Sequence, residues 1–185
     1  MLGAVVLSQA TLDPIILAMS QKYNIEPAWI KAHIKVESNW DVNASRFEAH
    51  KGDASWGLMQ LLLTTAKGVL ENPDLTTTQL IQPAVNIEAG TKLLSQLWTR
   101  FGNMRDAIAA YNAGSPRLDN TGRAYVNQDY VDKVTNAYNQ YKTIGMAIST
   151  DDFIPDISNP TSLSIYTILV TGTLFAAVLM TTNKT

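Results

Sequence analysis

The chain has 185 residues, 46% hydrophobic and 16% charged, with 14 Lys+Arg against 16 Asp+Glu and a net charge of -2. That length holds one well-packed domain and an appendage rather than two full domains, and the charge balance lacks the basic stripe a nucleic-acid binder sets against phosphates. No cysteine is present, and His33 and His50 do not form an HExxH spacing, so there is no disulfide framework, thiolate metal site or His-rich metal site to read.

Met1 to Ala10 are mostly apolar but lack the basic residues that open a secretory signal peptide, so none is expected there. From Thr11 to Tyr141 apolar residues recur at three- and four-residue steps without sustained alternation, and Gly and Pro punctuate the run at Pro73, Pro83, Gly102 and Pro116. The expected class is mainly α, a compact domain of about six or seven helices. Pro27 suits the first turn of a helix, where its missing N–H costs nothing. A helix starting there puts Ile30, His33, Ile34 and Glu37 on one face, with Glu37 near its end. A carboxyl drawn partly out of water favours its protonated form, which a general acid requires. On periodicity alone, Glu37 reads more readily as an ordinary surface carboxylate.

The composition changes after Thr143. Asp151, Asp152, Pro155, Asp156 and Pro160 mark a polar, helix-breaking stretch. From Ile157 to Asn183 no residue is charged, and Leu163 to Met180 is almost continuously apolar. Eighteen helical residues rise about 27 Å, close to the hydrocarbon thickness of a bilayer. The expected organisation is a domain over 1–143, a linker over 144–161, a transmembrane helix over 162–181 and a tail over 182–185. Lys184 alone follows the span, which weakly places the tail on the cytoplasmic side.

Three strings in fixed order carry a resemblance: Glu37-Ser38-Asn39-Trp40, Gly57-Leu58-Met59-Gln60 and Ala110-Tyr111-Asn112-Ala113-Gly114. Asn86-Ile87, Gly90 and Leu93-Leu94 lie between the second and third, and Tyr130-Val131 follows the last. Together, over about Thr11 to Tyr141, they resemble the lytic transglycosylase domain of the soluble, phage-associated and conjugation-associated types. That is a lysozyme-like fold whose members cut the glycan strand of bacterial peptidoglycan. The resemblance implies that Glu37 is the single catalytic acid/base, with Ser55, Met59, Gln60, Tyr111, Asn112 and Tyr130 as substrate-binding residues of the cleft. It also implies that the Gly57 string begins a helix lining the cleft, and that Gly114 ends one in a left-handed turn.

Departures from the pattern are Val42 and Leu63, where proline is usual, and a longer segment between Trp40 and Gly57 with Lys51-Gly52-Asp53 as its tip. Val126 stands where soluble members place a glutamate, so no second cleft carboxylate transfers. Asp41, Glu48 and Asp53 are the acidic residues nearest the motifs, all in the poorly matched segment. One glutamate suits substrate-assisted chemistry that closes a 1,6-anhydro ring on muramic acid, with no metal or cofactor. Hydrolysis, as in goose-type lysozymes, and glycan binding without cleavage are the alternatives. The implied partners are peptidoglycan strands, a lipid bilayer through the C-terminal helix and other virion or secretion-apparatus proteins, and no nucleic acid. The implied location is a single-pass membrane anchorage, in a virion's internal membrane or a host cell envelope.

Overall fold

The computed structural model describes residues 9–49 and 52–147. Among these lie seven helices, α1 (Gln9–Tyr23), α2 (Pro27–Ser38), α3 (Leu63–Leu70), α4 (Thr77–Leu80), α5 (Pro83–Phe101), α6 (Met104–Ala113) and α7 (Gln128–Ala147). Between α2 and α3 runs an antiparallel sheet of β1 (Ser45–Glu48), β2 (Asp53–Trp56) and β3 (Leu61–Leu62), in that order.

Local chemistry sets the helix ends. Pro27 and Pro83 open α2 and α5 at the first turn. Thr76 and Gln79 form a reciprocal capping box on α4, and the Asn103 side chain accepts from the Asp106 N–H at the start of α6. Gly102 and Gly114 take φ of 74° and 77° to close α5 and α6, a conformation glycine adopts without steric cost.

α5 packs against α1, α3, α4 and α6, and its buried residues wrap well beyond one narrow stripe. Leu12, Ile16, Ile30, Ile34, Leu58, Met59, Ile87 and Leu94 form the main apolar cluster between α1, α2 and α5. α2 turns Ala32 the other way, into a second cluster with Ile108, Val131 and Val134 of α6 and α7. α2 is therefore clamped on two sides, and Glu37, its penultimate residue, inherits that fixed position. The clamp is reinforced by Trp29 stacked on Tyr138 of α7, with ring centroids 3.6 Å apart.

The sheet departs from the all-helical pattern expected over 45–62. Its strands have four, four and two residues, too short for alternation to register, and Phe47 on β1 is 70% exposed. The second string is also placed differently. Gly57 to Gln60 form a turn that leads into β3, and the helix begins only at Leu63. Leu63 is the first residue of α3, the position where proline is favoured but not required.

α7 continues to Ala147, past Thr143. The expected transmembrane helix over 162–181 and the tail after it lie outside the described residues. Among the described residues, no helix is long and apolar enough to cross a membrane.

Candidate active site

A cleft opens between the C-terminal end of α2, the sheet and α6. Glu37, Arg46, Glu48, Ser55, Gln60 and Tyr111 line it, with Leu61, Leu62, Thr65, Leu93 and Asn112 completing its wall. Glu37 is half-buried. The residues after it explain its fixed aim. Asn39 turns left-handed at φ 51° and returns its N–H to the Lys35 carbonyl, which ends α2. Trp40 follows at φ 72°, and its indole N–H donates to the Tyr141 hydroxyl at 3.0 Å. The Ser-Asn-Trp sequence thus stops the helix and staples its end to α7.

α7 also supplies the carboxylate's partner. The Tyr130 hydroxyl donates to Glu37 Oε1 at 2.5 Å. Burial first, then the charge of Glu37, pushes the Tyr130 hydroxyl well above the ordinary tyrosine range, so it stays protonated and remains a donor. Tyr111 is raised for the same two reasons, burial and then the Glu37 charge. Its own hydroxyl donates to the Met59 carbonyl at 3.0 Å. Two protonated phenols therefore stand near one carboxyl group. Tyr130→Phe is expected to lower turnover about 10- to 100-fold, the value of one short hydrogen bond to a charged group, with KM little changed. Steady-state kinetics on peptidoglycan, the substrate the sequence resemblance implies, would check this.

A profile of the transglycosylase SLT domain matches residues 14–140, most of the described fold. The chain belongs to that family. It is 31% identical over 98 residues to a transglycosylase of Enterobacteria phage PRD1, covering 53% of this chain and 33% of the phage protein. It is 26% identical over 111 residues to protein IpgF of Shigella flexneri, covering 60% of this chain and 72% of that one. The X-ray structure of an inactive glutamate-to-glutamine mutant of the lytic transglycosylase Slt from Pseudomonas aeruginosa superposes with a TM-score of 0.58 and 28% identity. It covers 70% of this chain and 24% of the Pseudomonas chain. This SLT chain thus spans a third of the phage protein and about a quarter of the Pseudomonas one.

Within the SLT domain, the residues singled out from sequence are not equivalent in space. Glu37, Ser55, Gln60, Tyr111 and Asn112 line the cleft, and Tyr130 reaches it through Glu37. Met59 does not line it. Its side chain is fully buried beneath α5, where a Cβ on Gly90 would overlap its sulfur, and only its carbonyl is turned to Tyr111. Gln60 is committed to structure. Its amide donates to the Ala44 and Gly57 carbonyls at 3.0 and 2.9 Å, and its oxygen accepts from Ser55 at 2.9 Å. Gly57 sits at φ 75° with the Asn86 amide where a Cβ would stand, so protein packing requires glycine there.

Arg46 and Glu48 were missed as cleft residues. They alternate on β1, so both project to one face, and Ser55 is the cross-strand partner of Arg46 on that same face. Of the three acidic residues near the motifs, Glu48 enters the cleft. Asp41 caps the Asn43 N–H, and Asp53 binds the Ala54 N–H at the hairpin tip.

His33, one turn before Glu37, is fully buried beside the Tyr111 ring. Its Nδ1 donates to the Trp29 carbonyl at 2.8 Å, and Nε2 has no hydrogen-bond partner among the described residues. Burial lowers its pKa to about 4. The unfolded chain, near 6.5, then binds a proton that the folded chain refuses, so stability is lost as pH falls from 6.5 towards 4. The loss attributable to His33 is about 2.5 kcal/mol by pH 4.5. Urea unfolding of wild type and His33→Leu at pH 7 and 4.5 checks it: the variant should lack that increment.

Proposed function

We propose that the chain is a peptidoglycan lytic transglycosylase that cleaves the MurNAc-β-1,4-GlcNAc bond, with Glu37 as its acid and then its base. The observation that carries this reading is the half-buried carboxyl of Glu37 in the cleft, held by Tyr130 at 2.5 Å. Protonated Glu37 gives its proton to the glycosidic oxygen as the C1–O bond breaks, while the substrate's N-acetyl group stabilises the anomeric carbon. Glu37, now a carboxylate, takes the proton of the muramyl C6 hydroxyl as O6 bonds to C1. The glutamate ends as it began, and the product is a 1,6-anhydro ring. Tyr130 donates to the carboxylate between these steps, when the negative charge is present.

The product is lighter by one water than the hydrolytic one. Mass spectrometry of digested sacculi should find anhydro-muramyl ends; reducing ends alone would overturn the reading. The uncharged stretch from Ile157 to Asn183 supports a membrane anchor following the SLT domain, and the likeness to a phage transglycosylase supports a virion enzyme that opens the wall locally during entry. Flotation of the full chain with liposomes, compared with residues 1–147, tests the anchor: both sedimenting alike would exclude it.

A further inference from the structure

The proposed reaction uses one carboxylate, yet the cleft is lined by two. Glu48 stands on β1 with its side chain 15% exposed, far more enclosed than its partner Arg46 at 65%. Arg46 fixes it, placing Nε and Nη2 on Oε1, each at 2.8 Å, and the Ser55 oxygen lies 3.4 Å from that same atom. Ser55 is itself held by the Gln60 oxygen, and Gln60 by two backbone carbonyls. The carboxylate therefore belongs to a network that runs through both strands and the turn after β2. A surface glutamate in a hairpin has no need of such a frame. Sheet register and the chain of hydrogen bonds together present this one to the same cleft as Glu37.

We propose that Glu48 is a second catalytic carboxylate, which holds a water in the cleft and diverts part of the turnover to hydrolysis. This rests on the assignment of Glu37 as the acid that breaks the bond. Once Glu37 has protonated the leaving oxygen, two nucleophiles compete for the anomeric carbon. The muramyl C6 hydroxyl closes the anhydro ring and gives its proton to Glu37. Alternatively, a water hydrogen-bonded to Glu48 forms the C1–O bond and gives its proton to the Glu48 carboxylate, leaving a reducing-end muramic acid. Ring closure returns the proton to Glu37; hydrolysis consumes one water and leaves Glu37 ionised and Glu48 protonated, and exchange of one proton with solvent at each carboxylate resets the pair. A second carboxylate that activates a water, opposite the acid that protonates the leaving oxygen, is an ordinary means of glycoside hydrolysis. Here the second one works beside ring closure, so the ratio of products measures it directly.

The test is digestion of purified sacculi by the full chain in water enriched in oxygen-18, with fragments resolved by mass spectrometry. Newly hydrolysed ends carry the heavy oxygen at once, reducing ends already in the wall gain it only by slow anomeric exchange, which sacculi incubated without enzyme measure, and anhydro ends carry none. Wild type should give both. Glu48→Gln, whose side-chain oxygen can still accept from Arg46, should lower the ratio of labelled hydrolytic ends to anhydro ends at least tenfold. Glu48→Asp, which draws the carboxylate back from the cleft, should lower the same ratio, and serves if the glutamine variant does not fold. A labelled fraction absent from wild type, or unchanged in both variants, overturns the proposal and leaves Glu37 as assigned. Equal loss of both products in folded variants overturns it too, because Glu48 would then not act on water alone. No cleavage by wild type at all would instead overturn the reading of the site as an active one.

Discussion

Glu37→Gln is expected to lower cleavage of purified sacculi by at least about a thousandfold, the upper range for loss of a general acid that also serves as base. Stability should change by less than about 1 kcal/mol, because a half-buried amide of the same shape replaces the carboxyl. The glutamine oxygen still accepts from the Tyr130 hydroxyl, so the variant keeps the site's geometry and loses only its transferable proton. That separation decides between an enzyme and a module that binds glycan without cutting it. Clearing of embedded cell walls should vanish in the variant, while its sedimentation with intact sacculi should match wild type. Clearing by Glu37→Gln at more than a tenth of the wild-type rate would mean that another group supplies the proton.

Glu37 was legible because its placement follows from local rules. Pro27 opens the helix, four residues at i, i+3, i+4 and i+7 define its inner face, and the turn that ends it is written in the next residues. Gly102 and Gly114 marked helix ends for similarly local reasons. The sheet was not legible, because its strands are shorter than the window over which alternation is visible. Its pairing rests on backbone hydrogen bonds that leave no side-chain pattern. Met59 and Glu48 failed with it. Gln60 takes φ 45°, so no helical or extended period runs through the turn to say which way Met59 points. The facing of Glu48 depends on register, and a shift of one residue would turn it to solvent in place of Phe47. Asn86 was visible only as part of a resemblance, with no role attached to it. Its three partners lie 6, 27 and 30 residues away and come together only in the folded chain.

That buried amide sets the other large effect. Asn86 accepts the Met59 N–H at 2.7 Å and donates to the Trp56 and Leu80 carbonyls at 2.9 and 3.0 Å. The two carbonyls fix which end of the amide is nitrogen, since neither could face an oxygen. Asn86→Ala is expected to cost about 3 kcal/mol or more, because it strands buried backbone groups that water does not reach. Guanidinium unfolding at pH 7 measures this directly. Activity should fall beyond what the folded fraction accounts for, since Met59, held through its N–H by Asn86, is the residue whose carbonyl receives Tyr111, beside the charge of Glu37. Asn86→Asp separates hydrogen bonding from packing. The carboxylate can still accept from Met59, but its other oxygen meets two carbonyls, so the folded state favours the protonated acid and raises its pKa above the unfolded value. Its contribution is then present below the unfolded pKa of about 3.9 and is lost as pH rises through the folded one. The aspartate variant should therefore gain stability relative to wild type as pH falls, opposite in sign to the acid loss that His33 imposes on the wild-type chain. An Asn86→Asp variant as stable as wild type at pH 7 would mean that the amide's two donated bonds contribute nothing to holding the turn beneath the cleft.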